Sequence, residues 1–498
     1  MNFLNGIKTE MAPENRREKP KTVAMQPAAQ ASQSIVCKTS RGRELHTTLL
    51  RLSRRQVVLE IYDPHLVLQM SEVMRLEIGT GTRRAYAGRG VIRNLVNTGA
   101  TMICEVTLDD PWQEEDLQRQ SLVADPASAG QGFGGFLTKW QKVFKIDPEY
   151  KILIADLQSF LMELRMWLED IELEIGATPQ EQREAQEEKV VTELAGPVLQ
   201  VIDRFFDKFE TIAEKLEEEL RGVHHAYMRR QLHSLVLCSP FAYRTFQKPL
   251  GYAGDYEMVN MMMRKTEGNT LFAKIVNHWF LKQPPAEAHR NRVIFLADKL
   301  VEETLRATRE KRPMLAYNLG CGPAWEVQKF LNEKEISNRA QFTLVDFNEE
   351  TLQHTRETLE EIKHKTGRRT KVEYQRKSVQ QIIKEGGKGG STSREPRYDM
   401  VYCAGLFDYL TDAVCQRLMN NFYEMIRPGG LLLVTNVDRS NPLRNGMEHL
   451  LDWHLNYRTS REARTLKPDK ATADECTVKS DNTGVNIFIE VRKPNDHK

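Results

Sequence analysis

MLAYNLGCGPAWEV, residues 314–327, decides the fold when read with FTLVDFNEET, residues 342–351. Met314 to Leu319 is an apolar run of strand length that breaks into a glycine turn at Gly320-Cys321-Gly322. A helix-like pattern follows, with Val327 and Phe330 apolar. Glycines let backbone N–H groups approach a ligand closely, and a helix start presents unpaired donors. Phe342 to Val345 is a second short strand ending in Asp346, whose carboxylate can accept both hydroxyls of a ribose. Turn and acid together are the signature of a nucleotide-binding α/β unit, although a tight turn in an unrelated α/β sheet would look the same. The dinucleotide pattern G-x-G-x-x-G fails, because Trp325 stands at its third glycine.

Three further segments follow in order. YDMVYCAGLFDYL (398–410) reads as a strand ending in Cys403-Ala404-Gly405. In EMIRPGGLLLVTNV (424–437) a helix is predicted to end at Arg427, Pro428-Gly429-Gly430 to turn, and Leu431 to Val434 to form the next strand. VNIFIEVRKP (485–494) reads as the last strand, with Asn486, Phe488 and Glu490 alternating against Val485, Ile487 and Ile489. Over 313–498 this series resembles the class I S-adenosylmethionine (SAM) methyltransferases, a Rossmann-like α/β fold whose first motif is written [DE]-x-G-x-G-x-G. Asn318 stands where an acid is usual, and Ala324 where the third glycine is usual. The resemblance implies that Asn318, Gly320, Cys321 and Gly322 cradle the methionine end of SAM. It implies that Asp346 holds the ribose, with Phe347 and then Ser378 or Val379, after the strand VEYQRK, at the adenine. Ala404 and Gly405 would line the floor beside the methyl.

At 498 residues the chain is long enough for about three domains. Net charge is +2, from 71 basic and 69 acidic residues, which gives no argument for nucleic acid. The seven cysteines form no C-x-x-C pair, so neither a metal site nor a disulfide framework is expected. The N-terminus has no apolar signal core and no run approaches a membrane span, so a cytoplasmic protein is expected.

The chain divides as follows. Residues 1–34 read as a polar, disordered tail. Residues 35–115 hold six β-branched runs separated by turn residues, which predict a small antiparallel β-barrel. Its layout resembles a PilZ domain. The cyclic di-GMP motifs of that family are incomplete: Arg51 and Arg55 match R-x-x-x-R, but Asp125, Ser128 and Gly130 have the wrong spacing for the second motif. Cyclic di-GMP binding is therefore not expected, and the barrel's expected role is packing or protein contact. Residues 116–149 read as a linker. Residues 150–221 form a helical arm, with Leu153, Leu157, Phe160, Leu161, Leu164, Trp167 and Ile171 on one apolar face, a break over 177–188, and a second helix from Val191 to Leu216. A packed hairpin is the simpler reading and a homodimer-forming arm the sharper one. Residues 222–312 form a helical cap containing the shaped loop Gly251-Tyr252-Ala253-Gly254-Asp255-Tyr256. It ends in a helix whose Arg290 and Arg292 could reach a carboxylate or stay at the surface.

LGYAGDYEMVN (250–260), NLGCGPAWEV, CAGLFDYL and LDWHLNYR (451–458) together resemble a narrower family. These are the bacterial methyltransferases for biosynthesis of 3-hydroxypalmitic acid methyl ester, an extracellular quorum-sensing factor. The resemblance covers about 220 to 498. It implies methyl transfer from SAM to the carboxylate of a 3-hydroxy fatty acid, with Tyr252, Asp255 and Tyr256 as a lid and Tyr457 and Arg458 approaching from beyond the strand. Arg458 is the expected carboxylate partner, with a helix surface charge as the alternative. A carboxylate is already ionised near neutral pH, so no acid–base residue is expected. Another small molecule, a protein side chain, or a SAM-binding scaffold remain as alternatives.

Overall fold

A computed structural model describes residues 33–39, 42–45, 47–52, 55–61, 68–80, 83–97, 102–109, 133, 137, 145–264, 268–387 and 398–495. The expected tail up to residue 32, nearly all of the expected linker, and Asp125, Ser128 and Gly130 lie outside the described residues.

The N-terminal strands are β1 (Gln33–Lys38), β2 (Glu44–Leu45), β3 (Thr47–Leu52), β4 (Gln56–Ile61), β5 (Val73–Thr80), β6 (Arg83–Asn97) and β7 (Met102–Leu108). They pair antiparallel in the order β2-β1-β5-β6-β7-β4-β3, and β1 lies against β3, so the sheet nearly closes. Alternate residues such as Val57, Leu59 and Ile61 turn inward to fill it. The six expected strands are present, and the two-residue β2 is the addition.

Further along the chain come, among the described residues, the helices α1 (Pro148–Gly176), α2 (Gln180–Glu214), α3 (Glu218–Val236), α4 (Pro240–Gln247), α5 (Tyr256–Met263) and α6 (Leu271–Lys282). Asp147 caps α1, its side chain accepting from Tyr150 N–H, and Pro148 supplies the fixed φ of the first turn. The break between α1 and α2 is only Ala177-Thr178-Pro179, shorter than the expected 177–188. Gln, Glu, Arg and Ala over 180–188 have no apolar period but are good helix formers, so the helix continues exposed. Arm and cap share one apolar core, in which Leu153, Leu157, Phe206 and Phe209 meet Leu232, Phe272, Trp279 and Leu450. Trp167, expected on the buried face, stands 49% exposed.

The remaining elements form the α/β domain. They are α7 (Pro284–Arg309), β8 (Met314–Leu319), α8 (Trp325–Glu333), β9 (Ala340–Asp346), α9 (Glu349–Thr366), β10 (Lys371–Arg376), α10 (Val379–Gly387) and β11 (Tyr398–Cys403). After them come α11 (Asp412–Met425), β12 (Ile426–Val437), α12 (Arg444–Leu451), α13 (Ser460–Thr465), β13 (Cys476–Ser480) and β14 (Asn486–Arg492). The sheet order is β10-β9-β8-β11-β12-β14-β13, parallel except for β14, which pairs antiparallel with both β12 and β13. The order reverses between β8 and β11, which opens a crevice at the carboxyl ends of the strands. β12 begins at Ile426 and runs through Pro428-Gly429-Gly430 without the expected turn. The backbone there is held by the chain after β14: Gly429 N–H donates to the Lys493 carbonyl at 3.0 Å, and Lys493 N–H to that of Gly430 at 3.0 Å. Among the described residues no helix is long and apolar enough to cross a membrane.

Candidate active site

The crevice leads into a cavity of about 260 Å³. Its floor is the turn after β8. Gly320 and Gly322 take φ of +69° and +51°, the left-handed region that favours glycine. Ala324, at the usual third-glycine position, takes φ +51° as well, as N-cap of α8, and carries the strain of a Cβ there. The turn's N–H groups do not face the ligand space as the sequence suggested. Those of Gly320 and Cys321 donate to the Val345 carbonyl at 2.8 and 3.1 Å, and that of Gly322 to Asp346 Oδ2 at 3.2 Å. The turn therefore offers shape, with nothing within 4 Å of a Cβ placed on Gly322. Burial raises the Cys321 thiol well above its usual pKa, which favours the neutral thiol.

The departure at Asn318 has a structural answer. Its Nδ2 donates to Glu326 Oε1 at 3.1 Å, and Tyr402 Oη donates to the same oxygen at 2.9 Å. Glu326, buried at the start of α8, brings to this spot the acid that the motif lacks, its pKa raised by that burial. Asn318 Oδ1 is buried, lines the cavity and has no hydrogen-bond partner. An orphaned acceptor there fits the ammonium of a methionine group, so the residues present suit SAM.

Gly320, Cys321, Gly322, Asn318, Asp346 and Phe347 line one cavity. Ser378, Val379, Ala404 and Gly405 line it too, and so do Tyr252 and Tyr256 from the cap. Tyr252 packs on Phe347 with ring centroids 5.4 Å apart, and Tyr256 Oη donates to Glu350 Oε1 at 2.8 Å, tying the cap to α9. The Gly254 loop position is dictated by contact, since a Cβ there would collide with the Tyr409 hydroxyl.

Three expected site residues lie elsewhere. Asp255 is the N-cap of α5: it accepts from Met258 N–H at 2.8 Å and from Arg244 Nε at 2.8 and 3.0 Å. Tyr457 and Arg458 line a separate polar cavity. The Arg458 guanidinium is used up by Asp412 and by the carbonyls of Phe407 and Leu410, at 2.8, 3.0 and 2.7 Å, and by Asn436 Oδ1. It fastens loops and offers nothing to a ligand.

Among the described residues two guanidinium side chains line the cavity, the exposed Arg43 from the barrel and, beside the SAM turn, Arg292 on α7. Arg292 stands against Gly405, where a Cβ would lie 3.0 Å from its Nη2. Its hydrogen bond at 2.7 Å goes to His289 Nδ1, and among the described residues no carboxylate pairs with it within 4.0 Å. Burial lowers its pKa, with Asp408 and Glu326 opposing from a distance. His289, also lining the cavity, is held neutral: burial and the charges of Arg292 and Arg290 keep its pKa well below the ordinary value. An imidazole so placed is a poor proton acceptor. Asn486 on β14 lines the cavity too, 2% exposed, with neither Oδ1 nor Nδ2 hydrogen-bonded. The intervening wall is largely apolar, from Leu406, Val437, Met447, Trp453 and Leu455.

The barrel completes this wall. Leu68, Gln69 and Glu72, from the turn before β5, line the cavity. That turn is fixed by Met70 N–H to the Tyr409 carbonyl at 3.2 Å, Val73 N–H to the Gly251 carbonyl at 2.8 Å, and Ser71 Oγ to the His454 carbonyl at 2.9 Å. Ser71 takes φ +60° to reach His454. No sequence signal marks this turn as part of a site.

Residues 317–432 match the family described as a methyltransferase domain. The chain thus carries a SAM-dependent methyltransferase domain, with SAM as its cosubstrate. Its structure is similar to a possible exported protein from Bordetella parapertussis, at 15% identity over 60% of this chain and 97% of that one, TM-score 0.39. It is also similar to magnesium protoporphyrin IX methyltransferase from Synechocystis PCC 6803 with bound SAH, at 10% identity over 50% and 96%, TM-score 0.33. An O-methyltransferase family protein from Burkholderia thailandensis is similar at 13% identity over 57% and 75%, TM-score 0.32. Likeness at this level says nothing of the acceptor. No curated protein matches the sequence with significance.

Proposed function

We propose that the protein methylates the carboxylate of a 3-hydroxy fatty acid, releasing a methyl ester signal. The observation that carries this reading is Arg292: a guanidinium without a carboxylate partner among the described residues, in an apolar-walled cavity continuous with the SAM cradle. Such a charge gains most from an anionic ligand, which it can hold bidentately. Asn486, with both amide atoms unpartnered, is suited to a hydroxyl on the same molecule. Leu68, Met447, Trp453 and Leu455 suit an alkyl chain.

SAM, held by Asn318, the Gly320–Gly322 turn and Asp346, supplies an electrophilic methyl on a sulfonium. Arg292 would desolvate and orient the carboxylate toward it. No proton has to move, in keeping with His289 being held neutral and weakly basic. Catalysis then rests on proximity and alignment, which supply several kcal/mol, about 7 at the lower end of well-aligned cases. We read the barrel as PilZ-like in layout but used as a wall, and place the protein in the cytoplasm, where its free cysteines would stay reduced. Calorimetry on enzyme saturated with S-adenosylhomocysteine tests the reading. A medium-chain 3-hydroxy acid should bind at least tenfold tighter than its primary amide. Equal binding of the two would overturn it.

A further inference from the structure

Helix α1 is apolar on two opposite faces. One, with Leu153, Ile154, Leu157, Leu161, Leu164, Leu168 and Ile175, is buried in the protein's own core. The other is exposed. Of eleven large apolar side chains exposed among the described residues, five belong to α1: Ile152, Met162, Met166 and Leu173 on this face, and Trp167 at the edge of the buried stripe. Leu173 is 75% and Ile152 62% exposed. Such a concentration on one helix is what marks an interaction surface.

The exposed positions have a strict spacing. Ile152, Ala155, Ser159, Met162, Met166, Glu169 and Leu173 succeed one another at intervals of three and four residues, the period that keeps a seam facing a second helix over about 32 Å. The flanks carry opposite charge. Lys151, Gln158, Arg165 and Glu172 run along one side, with Gln158 donating to the Gln231 carbonyl at 2.9 Å and Glu172 accepting from Leu271 N–H within the subunit, and Asp156, Glu163 and Asp170 run along the other. In a parallel pair of identical helices each residue of the first row faces the residue five places on in its partner, which sets Lys151 against Asp156 and Arg165 against Asp170. An antiparallel pair would set the acidic row against itself. Glu169 is the one charge in the seam, and Arg165 of the same helix holds it at 2.8 Å.

From this we infer that the protein is a homodimer in which two copies of α1 pair in parallel along the 152–173 seam. The charge pattern is self-complementary, which selects a second copy over an unrelated helix. The methyltransferase cavity lies on other elements, so each subunit keeps its own site.

Sedimentation velocity of the full chain from 1 to 100 µM tests this. The expected result is a dimer, converted to monomer over that range by Met162→Glu with Met166→Glu, at unchanged circular dichroism and SAM affinity. Ile294→Glu, an exposed apolar position on α7, should leave the dimer intact. Register is read by Ser159→Cys in a Cys238→Ser background, which removes the exposed thiol. Parallel pairing puts residue 159 beside its own copy, and mild oxidation should give a covalent dimer. A monomer at every concentration, a dimer indifferent to the seam variants, or a dimer that fails to cross-link at 159 would each overturn the inference.

Discussion

Replacing Arg292 by Met is the most informative single change. The side chain keeps its length and loses its charge, in a cavity where no described carboxylate pairs with it within 4.0 Å. No ion pair is broken, so the fold should hold or gain slightly. What is lost is the contact with the acceptor. A hydrogen bond to a charged group contributes about 1.5–3 kcal/mol, and at about 1.4 kcal/mol per decade this lowers kcat/KM for the acid by about 10- to 150-fold. The loss should fall on the acceptor alone, with the Kd for SAM unchanged. Arg292→Lys should recover part of it, because a point charge replaces a fork. Steady-state kinetics varying each substrate, with calorimetry for SAM, separates the outcomes. A weakened Kd for SAM with the acceptor's KM intact would refute the reasoning, since the guanidinium would then serve the methionine carboxylate.

Other expectations follow from neighbouring residues. Asn486→Leu should reduce the preference for a 3-hydroxy acid over the unsubstituted acid about tenfold, from loss of about 1–1.5 kcal/mol of hydrogen bonding, read by competition between the two substrates. Leu68→Trp should move the acceptor length optimum to shorter chains at constant SAM affinity, read by mass spectrometry of esters from a mixed-length pool; an unmoved optimum would take the barrel turn out of the acceptor wall. Ala324→Gly should stabilise by up to about 1 kcal/mol in urea unfolding, because a left-handed residue loses its Cβ clash. His225 and His449, with rings 3.9 Å apart, are held neutral by burial and by Arg229, with pKa values well below 6.5. The unfolded chain therefore takes up the protons first, and stability is kept above pH 6.5 and lost below it, by about 1.4 kcal/mol per imidazole at pH 5.5. His225→Leu should shrink the drop in Tm between pH 7.5 and 5.5.

The residues proposed to hold SAM stand out in the sequence because they are local. β8, its glycine turn and Asp346 fall within 33 residues, and parallel strands buried on both faces write themselves as unbroken apolar runs. The proposed acceptor half is not local. Arg292 and Arg458 look alike as isolated basic residues, and only the packed structure shows that the second is consumed by Asp412 and backbone carbonyls while the first faces a cavity. Asn486 hid in β14, where the expected alternation of faces is not expressed because α7 covers one face, Phe295 against Phe488, and α13 the other, so that nearly every residue is buried. The barrel turn at 68–72 reaches Tyr409 and His454 across more than 330 residues of chain, a contact no periodicity encodes. Trp167 misled because it keeps step with Phe160, Leu164 and Ile171 at the edge of the buried stripe of α1, and spacing alone does not say how far the covering elements reach.

The central claim is that the acceptor atom is a fatty-acid carboxylate oxygen. Incubation of the protein with methyl-labelled SAM and 3-hydroxy fatty acids of graded length, followed by mass spectrometry, tests it most directly. The account predicts a labelled methyl ester above the enzyme-free control, with a defined length optimum. Label on the 3-hydroxyl as an ether, or no labelled lipid from protein that still binds SAM, would contradict it.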